Sequence, residues 1–122
     1  MPARLINTEK DTLPSNDTHP YRTGPWQPNM SEYDVTEPEI RGTIPEDLKG
    51  IYIRNTENPV HEALGRYHPF DGDGMLHSIA FDRGGCEYRN RFVRTKGFKE
   101  ENEAGQALWA GLREKPNMSL RE

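Results

Sequence analysis

The chain of 122 residues contains a single cysteine. Cys86 alone excludes an internal disulfide and any zinc cluster built on cysteines. It lacks the surroundings of a nucleophile and reads as a strand-end residue. Long apolar runs are also missing. No stretch approaches the roughly eighteen apolar residues that a membrane span requires, and the opening MPARLINTEK has no apolar signal-peptide core. The expected location is the cytosol. Apolar residues make up only 32% of the chain and the mean hydropathy is −1.00. The length suits one domain, and the composition allows a modest core. An excess of positive charge is absent as well. The formal net charge is −4, which argues against a nucleic-acid partner because phosphate binding wants a basic face. Lysine and arginine do gather in EYRNRFVRTKGFK, Glu87 to Lys99, where they read as the solvated side of a strand.

Proline, by contrast, is concentrated. Six of the ten prolines fall within residues 1–40. Proline fixes φ and removes a donor, so residues 1–39 are expected to form an extended, irregular arm. Trp26 and Tyr33 are its candidate anchors. The body, residues 40–122, begins with IRGTIPEDLKG, which predicts a turn at Pro45–Leu48. A strand follows from Ile51 to Arg54, with Ile51 and Ile53 on one face and Tyr52 and Arg54 on the other. NTENPVHEALGR then reads as a polar loop. GMLHSIAF predicts a second strand, with Met75, His77, Ile79 and Phe81 on one side. DRGG supplies turn residues that tolerate positive φ, and CEYRNRFVRT returns as the third strand of a hairpin. The segment from Phe98 to Glu114 has apolar residues at helical spacing. The class is therefore all-β: a meander with one helix and no second layer, one piece of a larger repeated architecture.

The densest cluster of reactive side chains is RYHPFDGDGMLHS, Arg66 to Ser78. Histidine with carboxylate oxygens suits iron, manganese or zinc, so His68, Asp71, Asp73 and His77 form a candidate ligand set. Spacing opposes it, because His77 lies inside a strand beside Met75 and Ile79. Asp71-x-Asp73-Gly74 also has the beginning of a calcium loop. An EF-hand needs further oxygens and a glutamate at its twelfth position, where this chain has Asp82. The preferred reading is structural: a sharp Asp-Gly turn leading into a strand, its carboxylates accepting main-chain N–H groups.

Taken together, GTIPEDLKGIYIRN…NP, YHPFDGDGMLHS and YRNRFVRTKGF…E resemble the N-terminal part of the carotenoid cleavage oxygenase family. The resemblance runs from about Glu39 to Leu112. One departure stands out: the family usually reads RNGPNP, and this chain reads RNTENP, with Thr56 and Glu57 in place of Gly-Pro. The resemblance implies the opening part of a seven-bladed β-propeller, incomplete in this chain. It implies a parent enzyme that holds Fe(II) through four histidines, activates O₂, and cleaves a conjugated C=C bond of a carotenoid, apocarotenoid or stilbene-type substrate. It also implies substrate passage through an apolar tunnel at a membrane-facing patch, hence peripheral membrane contact. The iron ligands of the family lie later in sequence, so no catalytic, cofactor or metal-binding residue is carried over. Arg54, Asn55, Asp71, Gly72, Asp73, Gly74, His77, Arg91 and Arg94 carry over as scaffold. The chain alone is then expected to be catalytically silent and to expose strand edges. Two other classes stay open: a small stand-alone binding protein reusing a propeller blade, and a calcium-binding module at Asp71 and Asp73.

Overall fold

The computed structural model describes residues 3–116. Five strands form one antiparallel sheet: β1 Arg4–Thr8, β2 Ser31–Val35, β3 Gly50–Glu57, β4 Gly74–Asp82 and β5 Gly85–Phe92. Their spatial order is β1-β2-β5-β4-β3. The hairpin between β4 and β5 is in continuous register from Met75↔Phe92 to Asp82↔Gly85. Its two-residue loop has φ 51° at Arg83 and 77° at Gly84. Positive φ at both central positions gives the turn whose twist matches the flanking strands, and glycine accepts it without cost. The turn before β3 closes through Leu48 N–H to the Pro45 carbonyl, 3.2 Å.

The stretch expected to be irregular contains two of these strands. β1 pairs antiparallel with β2, with the register shifting between Leu5 and Asn7, and β2 pairs with β5 through Asp34↔Arg89 and Val35↔Tyr88. Their sequences, RLINT and SEYDV, lack apolar alternation because the buried position is a carboxylate. Glu32 is buried, and it accepts from Asn7 Nδ2 at 2.9 Å and from the Phe92 N–H at 3.0 Å. A buried acid persists where hydrogen bonds satisfy it.

Two compact units can be distinguished. The first holds the chain up to Thr8, Ser31–Thr56 and Met75–Phe92; the second holds Glu9–Met30, Glu57–Gly74 and the chain from Val93 on. The first unit carries most of the sheet, with Met75, Asn90 and Phe92 buried. The second contains α1, Lys96–Ala104, with Thr95 Oγ1 accepting from the Phe98 N–H at 3.0 Å as its N-cap. α1 is shorter than the helix expected over 98–114. Gly105 adopts φ 70° and its N–H bonds the Glu101 carbonyl at 2.8 Å. That left-handed cap ends the helix. The chain then folds back, setting the Trp109 ring beside Gly97.

The second unit also shows what fastens the Glu9–Met30 segment. Trp26 is half-exposed and meets Tyr21 edge-on at 5.3 Å, so it packs within its own segment. The fasteners are polar. Arg22 is buried, forms ion pairs with Asp17 and Glu62 at 2.8 Å each, and lies over the Tyr67 ring at 5.5 Å. The Thr12 N–H donates to the Val60 carbonyl at 3.0 Å, and the Asn29 N–H to Asn58 Oδ1 at 2.7 Å. Tyr33, the other candidate anchor, lies in β2 opposite Leu5.

Candidate functional site

On one face of the sheet, Tyr52, Arg54 and Thr56 of β3, His77 and Ile79 of β4, and Tyr88 of β5 line a cleft of about 290 Å³. The three β3 residues recur at every second position, which places them on one side of the strand. Thr56 Oγ1 lies 3.2 Å from the Met75 carbonyl and 3.0 Å from His77 Nε2. Tyr88 Oη lies 2.6 Å from His77 Nδ1. A hydroxyl has one proton. With the Thr56 proton on the Met75 carbonyl, Nε2–H donates to Thr56 and Tyr88 donates to Nδ1; with it on Nε2, Nδ1–H donates to Tyr88. Either way Tyr88, His77 and Thr56 form one hydrogen-bonded row ending at the β4 backbone.

β3 extends through Asn55 and Thr56, which the sequence reading assigned to a loop. Thr56 is also the position where the sequence resemblance implies a glycine. A glycine there could not supply the hydroxyl.

Burial, aided by the Arg54 charge, lowers the His77 pKa below its usual 6.5. The neutral form is favoured in the fold, so His77 contributes stability above about pH 6.5 that is lost as pH falls through the lowered value. In an NMR titration the His77 ring should respond below 6.5, and Arg54→Ala should move its midpoint upward. An unmoved midpoint would remove Arg54 from the account.

The Asp-Gly turn lies in the second unit. Asp73 Oδ2 accepts from the Val60 N–H at 3.0 Å, and the Asp73 carbonyl accepts from the Asn58 N–H at 2.7 Å. Asp71 Oδ1 accepts from the Leu112 N–H at 2.8 Å, and Oδ2 from the His68 N–H at 3.2 Å. The ring of His68 accepts from the Phe70 N–H at 3.1 Å, capping the short helical turn Pro69–Asp71. Gly72 is sterically required. A Cβ there would stand 2.9 Å from both the Asn58 nitrogen and the Tyr67 hydroxyl, closer than a side chain can approach.

A cavity of about 170 Å³ adjoins this turn, and Asp73, Glu101, His61 and Tyr67 are among its lining residues. Burial raises the Asp73 and Glu101 pKa values, with the Asp73 charge adding to the rise at Glu101, and burial pushes Tyr67 to about 12. A raised carboxyl pKa contributes stability that is present at low pH and lost as pH rises through the folded value. Asp73→Asn keeps an acceptor for Val60 without the buried charge, whereas Asp73→Ala leaves that N–H unsatisfied. The alanine variant should therefore lose about 1–3 kcal/mol at neutral pH while the asparagine variant melts near the parent. Because these oxygens already serve main-chain donors, millimolar Ca²⁺ should leave the melting temperature unchanged. A calcium shift abolished by Asp73→Asn would reinstate the calcium module.

The remaining motif residues are spread over both units. Arg54 and Asn55 lie on β3 and Gly74 starts β4. Arg91 on β5 holds Asp34 at 2.6 Å and the Tyr33 carbonyl at 3.1 Å. Arg94 bonds Glu9 at 3.0 Å and lies over the Phe98 ring at 5.5 Å. Both arginines position chain rather than solute.

Residues 26–121 match the family described as retinal pigment epithelial membrane protein. The chain belongs to the carotenoid cleavage oxygenase family. It is 39% identical over 104 residues to the probable carotenoid cleavage dioxygenase 4, chloroplastic, of Arabidopsis thaliana, covering 83% of this chain and 18% of that protein. It is 36% identical over 91 residues to the apocarotenoid-15,15′-oxygenase of a Synechocystis species, covering 71% and 18%. Among solved structures, the lignostilbene dioxygenase of Pseudomonas brassicacearum superposes with a TM-score of 0.74 at 26% identity, covering 79% of this chain and 20% of that one. The chain thus spans about a fifth of the length of these relatives. Its sheet is all-β, as the sequence implied, and corresponds to one portion of these larger oxygenases.

The iron of the carotenoid cleavage oxygenase family can be tested against the histidines present. His77 is engaged at both ring nitrogens. His61 is buried, with Nδ1 3.2 Å from Thr12 Oγ1 and Nε2 2.7 Å from Asn102 Oδ1. His68 and His19 each use Nδ1 to accept a main-chain N–H. Among the described residues, no group of three or more His, Cys, Asp or Glu side chains could hold a metal ion. The residues present do not fit the iron centre. His61 and Thr56, each with two polar partners, escaped the sequence reading because both fall in the stretch expected to be a loop.

Proposed function

We propose that this chain is the N-terminal portion of a dioxygenase that cleaves a conjugated carbon–carbon double bond of a carotenoid, apocarotenoid or stilbene-type substrate. The observation that carries the reading is the match over residues 26–121. The curated and solved relatives named above support it, since their names span carotenoid, apocarotenoid and lignostilbene chemistry. In this reading Fe(II) and its four histidines belong to parts of the parent not contained in these residues, and O₂ is the co-substrate. This chain's share of the work is scaffolding. The Asp71–Gly74 turn and the hydrogen-bonded His77 fix the start and the face of β4, on which neighbouring elements of the parent would pack.

Among the described residues no helix is long and apolar enough to cross a membrane. We place the parent in the cytosol, with peripheral membrane contact as its route to an apolar substrate.

The test is to read the transcript beyond the codon for Glu122, then assay both products. A frame continuing for several hundred residues with four well-separated histidines, whose product converts an apocarotenoid or stilbene to two carbonyl compounds with Fe(II) and O₂, supports the reading. The 122-residue chain should form no carbonyl product under the same conditions. A stop codon, or turnover by the short chain, would overturn the assignment.

A further inference from the structure

After α1 the chain runs through residues 106–114 without helix or strand. Two carboxylates fasten it to the loop before β4, one contributed from each side. Glu114 belongs to the segment and grips the loop: its Oε2 accepts from the N–H groups of Arg66, at 3.0 Å, and Gly65. Its Oε1 turns back to the Gly111 N–H at 2.8 Å. Asp71 belongs to the loop and grips the segment, through the Leu112 N–H at 2.8 Å. The two meet closely, since a Cβ at Gly111 would collide with the Asp71 carboxylate. Between these clasps and Gly105, Ala107 and Trp109 wall one side of the cavity of about 170 Å³, and His61, Tyr67 and Asp73 line it from the loop.

We propose that residues 106–114 form a strap that opens and closes as one unit on its two carboxylate clasps and governs the access of water to the cavity of His61, Tyr67 and Asp73. The coupling follows from adjacency. Gly111 donates to Glu114 and Leu112 donates to Asp71, so the clasps act on neighbouring peptide groups and neither can part without straining the other. Gly105, at φ 70°, is the hinge, because glycine leaves the left-handed region without steric cost. The latch is ionised at neutral pH. Burial alone would raise the Glu114 pKa, but the Gly111, Arg66 and Gly65 N–H groups together hold it below its ordinary value. The closed strap contributes to the burial that raises the Asp73 pKa. None of this rests on the dioxygenase reading, because every contact that makes the strap lies within residues 59–114.

Amide hydrogen exchange of the 122-residue chain, followed by NMR, tests this. In the unmodified chain the Gly65, Arg66, Gly111 and Leu112 amides should share one protection factor. It should be smaller than that of the Thr12 and Asn58 amides, which bond the Val60 and Asp73 carbonyls in the same unit. Glu114→Gln leaves Asp71 intact, yet it should speed exchange at Leu112 as well as at Gly65, by about tenfold to a hundredfold, as for a lost hydrogen bond to a charged group. Gly111→Ala changes no charge and, by displacing the Asp71 carboxylate, should speed Gly65 and Arg66 to a similar degree. It should also move the Asp73 titration midpoint down toward the ordinary carboxyl range as water enters. Unequal protection among the four amides of the unmodified chain overturns the proposal, as do variants that speed only the amides of their own clasp. Equal acceleration at Thr12 and Asn58 means that the whole unit opens, and overturns it too. An Asp73 midpoint indifferent to Gly111→Ala would show that the strap does not govern the cavity.

Discussion

Replacing Asn90 with leucine should lower the unfolding free energy by about 1–3 kcal/mol, the cost of taking a buried side-chain partner from two part-buried main-chain groups. Asn90 is 1% exposed on β5. Its Oδ1 accepts the Tyr33 N–H, and its Nδ2 donates to the Ser31 carbonyl at 3.0 Å and to Met75 Sδ at 3.6 Å. The ladder between β2 and β5 comprises only Asp34↔Arg89 and Val35↔Tyr88. Along Ser31–Tyr33 the side-chain amide takes the place of the ladder, assisted by Glu32 on the Phe92 N–H. Leucine has similar volume, so packing is nearly conserved and the loss isolates the hydrogen bonds. Asn90→Asp should cost at least as much at neutral pH, because it buries an unpaired charge and turns an oxygen toward the Ser31 carbonyl. Glu87→Gln, exposed on the same strand, should change stability by less than about 0.5 kcal/mol. Urea unfolding of the three variants orders them. If leucine and the parent share a midpoint, the amide is not what joins the strands.

The same residue explains why part of the fold was legible in the sequence and part was not. The β4–β5 hairpin could be read because its determinants are local: Asp82-Arg83-Gly84-Gly85 encodes a turn, and flanking strands follow from it. β1 and β2 could not. What holds β2 is Asn90 and the carboxylate of Glu32, which bonds an N–H sixty positions later, and no local period encodes such a partner. The shortened helix is a different case. Gly105 stands in the sequence as a ready C-cap, but the spacing of Leu108, Trp109 and Leu112 outweighed it in the reading. Trp109 folds back beside Gly97 and Glu101 accepts the Leu108 N–H at 3.3 Å, whereas Leu112 is exposed. At the candidate site, the turn chemistry of Asp71 and Asp73 was legible since aspartate before glycine caps its own neighbourhood. The His77 chain was half legible. Its place on a strand face argued for a hydrogen-bonded histidine, whereas its partner Thr56 was hidden in an assumed loop.

Truncating Met75 should produce the other large loss, about 2–5 kcal/mol for Met75→Ala. Met75 is fully buried and is among the largest such side chains of the chain. It stands opposite Phe92 at the start of the hairpin, and its sulfur receives the Asn90 amide. In a protein so poor in apolar residues, few other side chains can close the space it leaves, and a cavity that cannot collapse carries the full penalty. Leu76 offers the control. It is the next residue along β4 and points to the opposite face, where it is exposed. Leu76→Ala should therefore cost well under half as much, although it deletes a side chain of similar size. Met75→Leu should stay within about 1.5 kcal/mol, as volume-conserving swaps do, but it removes the sulfur from Asn90. Combining Met75→Leu with Asn90→Leu should then cost less than the sum of the single changes, because the amide is already gone. Strict additivity in that cycle would mean that the sulfur and the amide do not interact, and that Met75 acts through volume alone.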